Sequence, residues 1–371
     1  MRRRELLKVA ALSAFGGGLH TACIRRGAVV LSDSPRRFAR VNVAPDRIIR
    51  TVVGLRPFRP SGFVVRSETI GQKILVHNYG HGGGGMTLSW GTSHLAVEQA
   101  LKTRQTRYAV LGCGGVGLAT ARLLQRRGVE VTIYAKELPP NTTSNIAGAQ
   151  WAPAESFDPD HSTPAFLDQF ARAARLSHRY FQDLAGDYYG VRWIENYYVS
   201  DSMPSTRVAQ GGGQGIQDLF PAGHELSVRE NPFGTPYARR FVTMLIEPPV
   251  YLNAMLRDFL LAGGKLVVRE FPDLETILAL PEPIVMNCTG LGAKALFHDE
   301  ELMPIKGQLT VLLPQPEVDY ITLTDDLYMF PRRDGILLGG THERGVWSLD
   351  VNTEAMGRIL DGHRRFFSRM R

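Results

Sequence analysis

The chain has 371 residues, 44% hydrophobic and 21% charged, which excludes a disordered tail protein and supplies enough apolar surface for two interleaved domains. Its formal charge of +7 sits entirely in residues 1–40, where nine Lys or Arg face only Glu5 and Asp33. A phosphate-tracking surface should be basic within the folded body, so a nucleic-acid partner is not expected.

The basic start (Arg2, Arg3, Arg4, Lys8) runs into an apolar, small-residue stretch at 9–18. That stretch is too short to span a bilayer as a mature helix but suits the apolar region of an export signal. Arg3-Arg4-Glu5-Leu6-Leu7-Lys8 resembles the twin-arginine signal, whose pathway exports folded, cofactor-loaded proteins. The expected location is therefore periplasmic or on the outer side of the inner membrane, with a cytoplasmic protein as the alternative. Thr21-Ala22-Cys23 after Leu19 resembles a lipoprotein cleavage site, yet His20 stands where that pattern has an aliphatic residue, so membrane anchoring through Cys23 stays open. The three cysteines, Cys23, Cys113 and Cys288, imply no disulfide framework.

Residues 24–45 mix Arg, Ser, Asp and Pro without periodicity and read as a tether. Strands are expected at 47–53 and 62–66, interrupted by Pro57 and Pro60, and another at 73–77. A glycine-rich loop at 78–85 precedes a helix at 88–101, and 102–107 is a short polar linker. Strand 108–111, glycine turn 112–117, helix 118–127 and strand 130–134 then make a βαβ opening. Helices follow at 164–183, 249–261 and 352–371, with strands at 191–199, 239–246, 265–269, 284–287, 307–313 and 335–338.

Gly112-x-Gly114-x-x-Gly117 between strand and helix is the strongest mechanical motif, because glycine lets the backbone approach a pyrophosphate that the helix N-terminus stabilises. The acidic residue that would hold an NAD ribose is missing at Ala135, with Lys136 and Glu137 beside it, which weakens an NAD reading. Arg56, in Gly54-Leu55-Arg56-Pro57-Phe58-Arg59-Pro60, stands between prolines that stiffen its segment. His77-Asn78-Tyr79-Gly80-His81-Gly82-Gly83-Gly84-Gly85-Met86-Thr87 supplies backbone that can approach a ring closely. His77 and His81 have no metal-ligand spacing with other residues and are expected to brace that loop, so no metal is anticipated.

Together these segments resemble the D-amino-acid oxidase family. The resemblance rests on 110–153, including Thr142-Thr143-Ser144-Asn145-Ile146-Ala147-Gly148-Ala149-Gln150-Trp151-x-Pro153, on Asn287-Cys288-Thr289-Gly290, and on Leu327-Tyr328-Met329-Phe330-Pro331. It implies an α/β fold: an FAD-binding Rossmann-like (GR-type) domain with an interleaved substrate domain on a mostly antiparallel sheet. It also implies FAD contacts from Gly112, Cys113, Gly114, Gly115, Val116, Gly117, Thr142, Thr143, Ser144, Gly148, Ala149, Phe271, Thr289, Gly82, Gly83, Gly85, Met86 and Thr87. Arg56 and Tyr328 would hold a substrate carboxylate, and the Gly83 carbonyl the amine. The helix after the glycine-rich loop would point its N-terminus at the flavin. Thr324 stands where the family often has a second tyrosine in a mobile lid.

The order of parts departs from the family, whose glycine fingerprint comes first and whose arginine segment and histidine-glycine loop come last. The implied arrangement is a circular permutation: export signal 1–23, tether 24–45, permuted flavin and substrate segment 46–104, FAD-binding βαβ 105–154, substrate domain 155–260, FAD-domain return 261–300, substrate domain and terminal helix 301–371. Permutation requires 41–48 to lie close to the terminal helix. The implied reaction moves a hydride from the substrate Cα to flavin N5, gives an imine that hydrolyses, and makes peroxide from oxygen, with no obligatory side-chain base. Ala152, Ala154 and Glu155 suggest small or basic D-amino acids. The alternatives are a glycine or secondary-amine oxidase, a dehydrogenase passing electrons to a membrane quinone, or a non-catalytic flavin-binding protein.

Overall fold

The computed structural model describes residues 38–202, 215–220 and 223–371, so the export signal, Cys23 and the tether before residue 38 lie outside the described residues. The first strands are β1 (Ile48–Phe58), β2 (Val64–Ile70) and β3 (Lys73–Tyr79), followed by helix α1 (Ser89–Leu101). β1 is longer than expected because it runs straight through Pro57. It lies at one edge of its sheet, and Pro57 faces Pro304, so neither missing N–H disrupts a ladder bond.

β4 (Arg107–Leu111), α2 (Gly115–Gln125) and β5 (Glu130–Ala135) form the βαβ unit. The helix starts three residues earlier than the sequence suggests. Gly117 already lies in its first turn, where a Cβ would stand 2.1 Å from the Gly112 carbonyl oxygen, so glycine sets how closely helix and strand pack. The short α3 (Thr143–Ile146) precedes α4 (Pro164–Asp183). Thr163 caps α4 by accepting the Phe166 N–H, and Pro164 occupies its first position.

The substrate side continues with β6 (Val191–Ser200), β7 (His224–Glu225), β8 (Tyr237–Ile246) and α5 (Pro248–Leu261). The chain then returns through β9 (Lys265–Val268), α6 (Leu274–Leu278), β10 (Ile284–Asn287) and α7 (Ala293–Phe297). It ends with β11 (Met303–Leu312), β12 (Tyr320–Leu323), β13 (Tyr328–Arg332), β14 (Gly335–Gly339), β15 (Glu343–Arg344) and α8 (Thr353–Ser368).

Two sheets organise these elements. One has the order β2-β3-β10-β4-β5-β9, parallel except for β2 at its edge. The other has the order β1-β11-β14-β13-β12-β6-β8-β7, with β15 on β11, and is antiparallel except where β12 meets β6. Segment 46–104 therefore feeds both sheets: β1 extends the second, whereas β3 pairs with β10 of the first. Trp90, Leu118, Phe170, Tyr251 and Phe259 are fully buried where α1, α2, α4 and α5 pack together.

Residues 38–45 correct the tether reading. Val41 and Val43 are buried with Ile359, Leu360, Phe366 and Phe367 of α8, and Arg364 Nε donates to the Val43 carbonyl at 3.4 Å. Apolar side chains five and seven residues before the start of β1 are drawn into the core under the second sheet, which aperiodic composition did not reveal.

Candidate active site

The two sheets meet around one cavity of about 2110 Å³, well above the volume a small ligand alone needs. Every residue expected to touch cofactor or substrate lines it, from Gly82, Gly83, Gly85, Met86 and Thr87 to Gly112–Gly117, Thr142–Ser144, Gly148, Ala149, Phe271, Thr289, Arg56 and Tyr328. At one end stands the glycine turn. Gly112 has φ +105°, and a Cβ there would lie 2.5 Å from the Cys288 carbonyl oxygen. Gly115 N–H, at the start of α2, donates to Ser144 Oγ at 3.0 Å, tying the threonine-serine segment to the helix N-terminus. That N-terminus opens onto the cavity with its partial positive charge, suited to a pyrophosphate.

The histidines of the glycine-rich loop are buried and held by neighbouring side chains. His77 is held between Glu68 (Nε2 to Oε1, 2.7 Å) and Asn287 (Nδ1 to Nδ2, 2.9 Å), and burial first, against the Glu68 contact, lowers its pKa. His81 contacts Thr92 Oγ1 at 2.9 Å, stacks on Phe63, and is pushed down to about 3 by burial. Among the described residues no cluster of His, Cys, Asp or Glu could hold a metal ion.

At the opposite end, Arg56 Nη2 lies 3.4 Å from Tyr328 Oη. Both side chains occupy space left by glycines: a Cβ at Gly307 would stand 2.7 Å from Arg56 Nη2, and one at Gly339 would stand 2.1 Å from the Tyr328 ring. Burial raises the Tyr328 pKa against the opposing Arg56 charge, so its hydroxyl stays a neutral donor. Gly83 donates its N–H to the Glu155 carbonyl at 3.1 Å, which brings the glycine-rich loop beside the arginine.

Two contacts were not foreseen from sequence, where Glu155 was read only as a pocket residue and His342 had no role. Glu155 Oε2 lies 3.4 Å from Arg56 Nη1, and its Oε1 lies 2.6 Å from His342 Nδ1. Burial would raise the Glu155 pKa, but the His342 hydrogen bond and the Arg56 charge outweigh it and hold the carboxyl below its usual range. His342 follows β14 in a loop with no motif of its own, so only the pairing of β11 with β14 and β15 reveals its place. At the other end of the cavity Arg269 covers the Phe271 ring at 4.8 Å. Thr324, at the position where the resemblance implies a lid tyrosine, lines the chamber in a tight turn, its N–H donating to the Leu327 carbonyl at 2.7 Å.

An FAD fits these residues. The glycine turn leaves backbone where side chains would collide, and Asn78, a residue of the cavity wall, has a buried Oδ1 without a hydrogen-bond partner. A parallel sheet with a glycine turn, joined through one cavity to an antiparallel sheet carrying an arginine and a tyrosine, defines an FAD-dependent oxidoreductase. The chain belongs to the DAO family, whose model, described as FAD dependent oxidoreductase, matches residues 107–371. It is 30% identical over 260 residues to a D-amino-acid oxidase of Rubrobacter xylanophilus, covering 68% of this chain and 75% of the relative. It is 31% identical over 273 residues to one of Streptomyces coelicolor, covering 69% and 76%. Among solved structures, glycine oxidase from Geobacillus kaustophilus shares the fold with a TM-score of 0.55 at 16% identity, covering 70% of this chain and 78% of that one.

Proposed function

We propose that this enzyme oxidatively deaminates D-amino acids, and that its family's parts are circularly permuted. The observation that carries the substrate reading is the Arg56–Tyr328 pair, a planar guanidinium and a phenol aimed at one point beside the Gly83 loop. A guanidinium presents its donors in a fork that matches a carboxylate, and the tyrosine hydroxyl adds a third donor. Gly83 orients the amine from the other side. When bound, FAD would supply the acceptor for the hydride from Cα and the route for its electrons to oxygen or another acceptor. The protein's own share is position: carboxylate, amine and Cα–H are held in one orientation in a chamber walled by protein.

The names of the relatives at 30–31% identity support a D-amino acid as substrate. Ala152 and Ala154 line the chamber and leave room for small side chains, and Glu155 favours basic ones. The family model's start at residue 107 supports the permuted order, as does the packing of residues 41–43 against α8. The amino-terminal sequence supports export, which fractionation of expressing cells would test.

The deciding experiment mixes the purified holoenzyme anaerobically with D- and L-amino acids and follows the flavin absorbance. Bleaching by D-isomers alone, lost in Arg56→Ala, is expected. Bleaching by no amino acid refutes the reading and leaves another amine substrate or a non-catalytic flavoprotein. Comparable turnover of D-lysine, D-alanine and D-phenylalanine refutes the side-chain preference.

A further inference from the structure

Glu155 is not a surface carboxylate that drifted toward an arginine. Its backbone adopts φ +49°, a left-handed conformation unusual for a non-glycine residue and characteristic of sites held in place by their surroundings. Its carbonyl accepts the Gly83 N–H, and its Cβ lies 3.4 Å from where a Gly83 Cβ would stand. The side chain is thereby fixed beside the two groups that the oxidase reading assigns to the substrate, Arg56 and Gly83. The charged and titratable groups facing the carboxylate are Arg56 from β1, Tyr328 from β13, His342 after β14 and Arg344 from β15, and the last is already paired with Asp158 at 2.7 Å.

The chamber thus contains an internal ion pair, Arg56 with Glu155, in the place where an amino acid must enter. An amino acid brings one carboxylate and one ammonium. If its carboxylate takes the Nη2 edge of Arg56 beside Tyr328, Glu155 loses part of its counter-charge and gains a cation a few ångströms away. Each internal charge then finds a substrate charge of opposite sign, and no ion in the chamber is left unpaired.

We propose that Glu155 binds the substrate ammonium and, with His342, removes its proton before the Cα–H bond breaks. This rests on the amino-acid oxidase reading and goes beyond it, because that reading needs no side-chain base. The step balances simply. The N–H bond of the ammonium breaks, its electron pair stays on nitrogen, and the proton bonds to a Glu155 carboxylate oxygen. The other oxygen keeps its hydrogen bond from His342 Nδ1–H, which holds the carboxyl group in place. Glu155 then releases the proton to water at the half-exposed His342 edge and is ionised again. Neutral amine nitrogen is what Cα–H cleavage requires, because only its lone pair can stabilise the positive charge that develops on carbon.

The test uses the FAD-loaded full chain, Glu155→Gln and His342→Gln, in two assays. In the first, anaerobic flavin reduction by D-alanine is followed across pH. Glu155→Gln should lower the second-order rate constant about 100-fold near neutral pH, the size expected of a lost proton acceptor. It should recover to within a few-fold above the ammonium's own pKa, where the amine arrives neutral. His342→Gln should shift the same limb by less. In the second, binding of 2-aminoisobutyrate, which has no Cα–H, is compared with isobutyrate. The wild type should prefer the aminated ligand, and Glu155→Gln should lose about tenfold of that preference, a typical charge-assisted hydrogen bond.

A rate loss of equal size at every pH, an unchanged ligand preference, or tighter binding of both ligands would overturn the proposal and make Glu155 only a counter-ion for Arg56. So would an effect confined to D-lysine. Should Glu155→Gln fail to retain FAD, His342→Gln decides, and an unmoved pH limb counts against the proposal. If no amino acid reduces the wild-type flavin, the oxidase reading fails, while the ligand pair still tests ammonium recognition.

Discussion

Arg56 and Tyr328 meet at 3.4 Å although their strands, β1 and β13, are not neighbours: β11 and β14 lie between them. The side chains reach each other over Gly307 and Gly339, one glycine on each intervening strand. Replacing Arg56 with Ala removes the fork that this arrangement presents. Charge-assisted hydrogen bonds contribute about 1.5–3 kcal/mol, so kcat/KM for an amino-acid substrate should fall by roughly 10- to 150-fold or more. Lys should restore little of it, because an ammonium cannot bond both carboxylate oxygens in the same plane. Steady-state kinetics of the two variants check this, and full rescue by Lys would show that only charge matters.

Gly339→Ala tests the same geometry without touching a polar group. Its Cβ would stand 2.1 Å from the Tyr328 ring, which must turn away from Arg56. Overpacking of this kind costs about 1–3 kcal/mol. The thermal midpoint should fall modestly, and KM should rise with the flavin still bound. A variant with unchanged KM would show that the hydroxyl of Tyr328 is not used.

At the far end of the cavity, Gly117→Ala places a Cβ 2.1 Å from the Gly112 carbonyl oxygen, between helix and strand. Backbone must move there, because no flexible side chain can give way. The expected outcome is a protein that purifies with much less flavin per chain and regains it only at high added FAD. Flavin absorbance against protein concentration measures this, and full occupancy would show that the turn tolerates separation from the helix.

Acid sensitivity follows from two buried histidines. Burial pushes His81 down to about 3 and His363 down to about 4, from an ordinary value of 6.5. The unfolded chain binds these protons more readily than the folded one. The stability associated with neutral histidines is therefore fully present above about 6.5 and declines as the pH falls toward 4 and then 3. Urea midpoints measured from pH 7 downward should fall in this window, and His363→Gln should flatten part of the decline. An identical slope in the variant would assign the acid limb to other groups.

The parallel sheet was legible because its parts are local: the glycine turn, its flanking strands and α4 with its Thr163 cap all announce themselves within a few residues. Arg56 and Tyr328 were legible through the motifs around them. Glu155 was read only as a pocket residue and His342 not at all, because their pairing is a contact between residues 187 positions apart, created by strand pairings that leave no periodic trace. The path of β1 through Pro57 was hidden for a related reason, since an edge position is a property of the sheet and not of the segment.

The order of the chain makes the last prediction. Val41 and Val43 pack on Ile359 and Phe366 of α8, and the Arg364 guanidinium reaches the Val43 carbonyl, so the entrance to β1 and the end of the last helix are neighbours. Between α1 and β4 only residues 102–106 intervene, in an exposed turn. Both junctions are thus places where chain can be cut or joined without exposing core. A chain opened between Arg104 and Gln105, carrying residues 38–104 behind Arg371 through a short flexible linker, should fold, bind FAD and reduce it with the same substrates. Its unfolding free energy should change by only about 1–2 kcal/mol, the scale of altered loop closure. Recovery of activity in that rearranged chain would establish the permuted relationship, because residues 38–371 are all kept and, apart from the linker, differ only in order. Failure to bind FAD, with the parent chain fully loaded under the same conditions, would mean that the link from α1 to β4 is itself required.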